Sequence, residues 1–112
     1  MQTAWAVTQE KIDEAIKRIV SVRHPSQVIV FGSAARKSAR PPRDLDLLVV
    51  TKEDVAHPRD ESVRLRRALK GIFMPVDILV ISQSRLRKVA DQPGLVYREA
   101  LRHGKVVYAT ST

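Results

Sequence analysis

The residues from Val28 to Val50 constrain this chain more than any other stretch. Val28-Ile29-Val30-Phe31 is β-branched and aromatic, which suits a strand buried on both faces. Gly32-Ser33 follows, then ten residues, then Asp44-Leu45-Asp46 opening a second apolar run, Leu47-Leu48-Val49-Val50. Gly32 permits a sharp turn and close approach of a ligand to the backbone. Ser33 stands where a short helix could begin, as an N-cap with a free hydroxyl. Backbone N–H groups at such a turn favour an anion such as phosphate. Asp44 and Asp46 lie two apart at the mouth of a strand, so period-two alternation puts both carboxylates on one face. Their mutual repulsion is relieved by a divalent cation, and hard oxygen ligands beside substrate phosphates suit magnesium. Each half alone has a bland reading, a turn or a solvated strand end. Together, at this spacing and each beside a strand, they point to a nucleotide site.

This Gly-Ser, ten residues, Asp-x-Asp arrangement resembles the signature of the DNA polymerase β-like nucleotidyltransferase superfamily. The length and local wording are similar to its smallest members, the minimal nucleotidyltransferases of bacteria and archaea. Val76-Asp77-Ile78-Leu79-Val80 looks like the family's third strand, whose acid completes the metal site. Leu95 to Tyr108 looks like its carboxyl-terminal helix and last strand. The resemblance implies an α/β (α+β) fold, a small mixed sheet of about four strands flanked by helices, the polymerase β-like palm. It implies two magnesium ions on Asp44, Asp46 and Asp77, which form the catalytic set, and a triphosphate gripped by Gly32 and Ser33 with Arg36 assisting. ATP is the implied substrate. The implied partner is a HEPN-domain ribonuclease toxin, modified with AMP on a tyrosine, which makes this chain its antitoxin. Departures from the family pattern are Ala34 after the serine and Lys37 where glycine is common. They affect the course of the loop and leave the metal ligands untouched.

The 112 residues fit one domain, 1–112, with 1–7 as a loose end. No apolar run approaches the ~20 residues needed to span a membrane, and the amino terminus carries no secretory pattern. With no cysteine, disulfides and thiolate metal sites are excluded, which is compatible with the cytoplasm. His24, His57 and His103 share no ligand spacing, so a histidine metal site is not expected. The net charge of +8 reads either as attraction to polyanions (nucleotide, RNA or an acidic partner) or as a solvated basic surface, so direct nucleic-acid binding stays open.

Ile12, Ile16, Ile19 and Val20 recur at helical spacing and predict a helix over 9–22, capped by Thr8. Trp5 is expected to pack. A strand is predicted over 27–31 and a short helix over 33–38, with Arg36 on the face of the phosphate turn. Arg40 and Arg43 read as an ordinary exposed loop stiffened by Pro41-Pro42. A second strand is predicted over 44–50, a helix over 59–71 from Leu65, Ala68, Leu69 and Ile72, and a third strand over 75–81. Phe73 and Met74 read as core. Asp77 inside so apolar a run is costly unless paired or metal-bound. A basic helix over 85–90 follows, then a helix after Pro93 with Val96, Ala100 and Leu101 as its apolar side, closed by Gly104 before a strand at 106–108. Two further functions stay in view. One is a binding module that neutralises its partner by complex formation. The other is a nucleotidyltransferase acting on RNA or an antibiotic, which the lack of an added domain disfavours.

Overall fold

The structure, a computed structural model, describes residues 4–36 and 40–110. The first helix, α1 (Gln9–Arg23), begins where the Thr8 hydroxyl accepts the Lys11 N–H at 3.3 Å. It ends at His24, a left-handed residue with φ of 52° whose N–H bonds the Val20 carbonyl, immediately before Pro25. Strand β1 (Gln27–Phe31) follows, then a 3₁₀ turn (Gly32–Ala35), strand β2 (Leu45–Thr51) and helix α2 (Pro58–Ala68). Strand β3 (Val76–Ser82), helices α3 (Gln83–Val89) and α4 (Val96–His103), and strand β4 (Lys105–Ala109) complete the chain.

The strands form one mixed sheet in the order β3-β2-β1-β4. β1 runs antiparallel to both β2 and β4, while β2 and β3 are parallel. Parallel pairing requires a crossover, and α2 supplies it. Both faces of the sheet are covered, as the continuous apolar runs require. On one face Val28, Val30, Leu45, Leu47, Val49, Ile78 and Val80 meet Ile12, Ala15 and Ile19 of α1 and Leu65 of α2. On the other, Ile29, Phe31, Leu48, Val50 and Ile81 meet Leu86 and Val89 of α3 and Ala100 of α4.

Polar contacts fix α2 to its neighbours. Glu61 pairs with Arg23 at 3.5 Å and Arg64 at 3.0 Å. Arg18 donates to the Lys70 carbonyl at 2.8 Å, just past the carboxyl end of α2. The Ser62 hydroxyl donates to the Ile78 carbonyl on the outer edge of β3, which shields that edge.

The expected mixed four-strand sheet with flanking helices is present. Local expectations differ in three places. Phe73 is 54% exposed and meets Trp5 edge-on at 5.6 Å, so neither ring enters the core. Both sit in segments that lead into an element and lie outside its packed face; Met74 takes the buried position instead. On α4, Val96 and Leu101 are exposed, and the helix packs through Ala100 and Tyr97. The turn after β1 is a single 3₁₀ turn with Phe31 at its N-cap position, so Ser33 lies inside it and caps nothing. The helix expected over 33–38 stops at Ala35, because Arg36 is already extended, with φ of −86° and ψ of 138°; positions 37 and 38 lie outside the described residues.

Gly104 joins α4 to β4 against β1. A Cβ there would lie 2.2 Å from the Ala100 carbonyl oxygen and 2.7 Å from Ile29 Cγ2. Gly94 has φ of +82° with open space around it. Gly104→Ala is therefore expected to cost about 2–3 kcal/mol through overpacking, and Gly94→Ala about 1 kcal/mol through backbone strain alone. Urea melts of both variants check the order; equal costs would contradict this packing.

Candidate functional site

The site is built by register. β1 and β2 pair Phe31 with Asp46, and β2 and β3 pair Asp46 with Asp77. Strands in a sheet lie about 4.8 Å apart, so Asp46 and Asp77 are immediate neighbours. Period-two alternation puts Asp46 with Leu48 and Val50, and Asp77 with Leu79 and Ile81, on the α3/α4 face. Phe31, Asp46 and Asp77 thus form a row across the start of β2 and β3. Asp77 avoids the burial cost expected from its apolar neighbours because it is exposed as the second residue of its strand.

Gly32 completes the row from the β1 side. Its φ is +68°, and a Cβ there would lie 2.3 Å from Asp46 Oδ2. Only glycine both adopts this turn and leaves room for the carboxylate. Ser33 reaches the other acid: its hydroxyl donates to Asp44 Oδ1 at 3.3 Å, with the Asp44 carbonyl at 3.4 Å. The phosphate turn and the carboxylate pair predicted from sequence are therefore in direct contact.

The acids strain one another electrostatically. Burial, then the charge of Asp44, then that of Asp77 hold the Asp46 carboxyl above the ordinary carboxylate range. Three hard oxygen donors whose like charges oppose one another suit a magnesium-type cation. Among the described residues no three acidic or imidazole side chains close into a ready ligand cage. Asp44 is turned toward Ser33, so a cation bound by all three acids would draw Asp44 off that hydroxyl.

A cavity of about 260 Å³ adjoins the turn, lined by Ser33, Arg36, Arg40, Pro41, Pro42 and Arg43. Arg36 lines this cavity with Ser33, as the extended residue after the 3₁₀ turn and not on the face of a helix. Arg40 and Arg43, read as plain loop residues, line the same cavity, as do Pro41 and Pro42 between them. The absence of acids between Ala34 and Arg43 was the available signal. A second cavity, of about 340 Å³, is lined by Asp46 and Asp77 together with side chains of α2 and α4.

The profile of the family described as polymerase β, nucleotidyltransferase, matches residues 10–112. The chain belongs to this nucleotidyltransferase family. A crystal structure of a protein from Sulfolobus solfataricus, described as a candidate nucleotidyltransferase, superposes with a TM-score of 0.62 at 20% identity. The likeness covers 89% of this chain and 78% of that one, and it supports the fold. No curated protein matches the sequence. Among the described residues, no helix of this nucleotidyltransferase domain is long and apolar enough to cross a membrane.

The strained carboxyl gives a pH prediction for the metal-free protein. The folded chain holds the Asp46 proton more tightly than the unfolded chain does, so stability falls as pH rises from the ordinary carboxylate pKa through the raised one. Asp46→Asn removes that loss. In EDTA at neutral pH the variant is expected to melt a few degrees above the parent, with the gain gone at a pH below the ordinary carboxylate range. A variant less stable than the parent at neutral pH would contradict the stated repulsion.

Proposed function

We propose that this chain transfers AMP from ATP to a hydroxyl on a protein partner, a tyrosine of a HEPN-domain ribonuclease toxin, and so acts as its antitoxin in the cytoplasm. The observation that carries the transfer reaction is the in-register pairing of Asp46 with Asp77, with the Ser33 turn alongside. The choice of acceptor rests on the resemblance to minimal nucleotidyltransferases and on the basic surface, +8 overall, which suits an acidic partner.

Gly32 and Ser33 present backbone N–H groups to the β- and γ-phosphates, and Arg36, with Arg40 and Arg43 around it, offsets their charge. Asp44, Asp46 and Asp77 would hold magnesium, two ions in all, which would neutralise the triphosphate and acidify the acceptor hydroxyl. The acceptor oxygen attacks the α-phosphorus. The new O–P bond forms as the bond from the α-phosphorus to the bridging oxygen breaks, and pyrophosphate leaves with the electron pair. Asp77, the exposed acid of the pair, takes the hydroxyl proton and passes it to water.

A second reading is a binder that neutralises its partner by complex formation alone. It is favoured by Leu95, Val96, Leu101 and Val106, apolar side chains left exposed on α4, β4 and the segment before α4. Incubation with ATP labelled at the α-phosphate, magnesium and a HEPN-domain ribonuclease partner separates the two readings. Label is expected on the partner, with transfer by Asp77→Asn or Asp44→Ala reduced at least about 100-fold, since charge stabilisation of this kind supplies several kcal/mol. Full neutralisation by Asp44→Ala without label transfer would overturn the enzyme in favour of the binder. Gly32→Ala, whose methyl would displace Asp46 Oδ2, is expected to lose transfer to a similar degree.

A further inference from the structure

The second cavity holds a cation that the handling of triphosphate leaves unused. Asp46 and Asp77 line it, Phe31, Leu79 and Val96 supply apolar surface, and Arg66 of α2 lines it too. This cavity shares no lining residue with the arginine-rich one beside Ser33. In-line displacement requires the attacking group to approach opposite the leaving group. With the triphosphate at Ser33 and Arg36, the separate cavity that reaches Asp46 and Asp77 and is lined by Arg66 is left open to an attacking group.

Arg66 is positioned by its helix and not by an acid. Ser62, one turn earlier on the same side of α2, donates its hydroxyl to the Ile78 carbonyl and pins the helix to β3. Glu61 is engaged by Arg23 and Arg64. Among the described residues Arg66 forms no ion pair with Asp46 or Asp77 at 4 Å or less, although all three line one cavity. An arginine held near two acids without neutralising them is available to an incoming anion.

We propose that this cavity is the acceptor subsite, and that Arg66 selects a protein acceptor whose aromatic hydroxyl residue is flanked by an acidic one. The proposal rests on the transfer reaction above. The aromatic body meets Phe31, Leu79 and Val96, its hydroxyl faces Asp77, and the flanking carboxylate pairs with Arg66. The cavity is at the small end for ligand sites, which fits one side chain and its neighbour better than a nucleic-acid strand.

Binding by NMR tests this independently of catalysis. The full chain, with magnesium and α,β-methylene-ATP, is titrated with acetyl-Glu-Tyr-Glu-amide and with acetyl-Lys-Tyr-Lys-amide. The acidic peptide is expected to shift the Arg66 Nε–H and the Leu79 and Val96 amides and to bind roughly fivefold more tightly, as for one partly exposed ion pair. Arg66→Gln should abolish that preference, while Arg67→Gln, on the same helix but outside the cavity, should keep it. Equal affinity for both peptides, equal loss in both variants, no peptide binding, or an Arg66 Nε–H shift caused by nucleotide alone would each overturn the proposal. Failure of AMP transfer with these shifts intact would overturn the reaction and leave the subsite standing.

Discussion

Asp46 lies opposite Asp77 because β2 and β3 are parallel and in register, and the rest of the site depends on that pairing. Two carboxylates on adjacent strands repel, and nothing in the sheet ladder itself offsets the repulsion. The cores on both faces of the sheet hold the strands in place regardless, since a slip of one residue would turn Leu47, Val49, Ile78 and Val80 out of the first core. Apolar packing thus imposes an electrostatically unfavourable arrangement at the strand mouths. A group held in a costly state by its surroundings is a mark of a functional site.

The neighbours of the pair follow from the same geometry. Gly32 must lack a side chain because Asp46 Oδ2 occupies the space, and its positive φ turns the chain into Ser33. Ser33 then reaches Asp44, tying the turn after β1 to the acids. Positive charge lines both cavities near the row, Arg36, Arg40 and Arg43 in one and Arg66 in the other. The arrangement places anion-attracting chambers around a cluster that would itself attract a cation, which is the charge pattern needed to bring a triphosphate and a divalent ion together.

Most of the sheet was legible because its signal is local. Val28–Phe31 and Leu47–Val50 declare buried strands by composition, and Asp44, Asp46, Gly32 and Ser33 stand out against them. Asp77 was legible for the same reason, as a charge in an apolar run. What was not legible depends on tertiary placement. Val96 and Leu101 have helical spacing, yet α4 packs through Ala100 and Tyr97, since the side that meets the sheet is set by tertiary placement and not by spacing alone. Phe73 has the character of a core residue but falls in the irregular segment before β3. Arg66 looked like one of several basic residues on an exposed helix face, and only the packing of α2 along the edge of β3 sets it apart from Arg67.

Anomalous scattering from a crystal grown with manganese and α,β-methylene-ATP measures the central claim most directly. The account predicts a peak about 2.1 Å from carboxylate oxygens of both Asp46 and Asp77, with the triphosphate on the Ser33 side and Asp44 rotated off the Ser33 hydroxyl. A peak coordinated by phosphate oxygens alone, with Asp77 uninvolved, would contradict it.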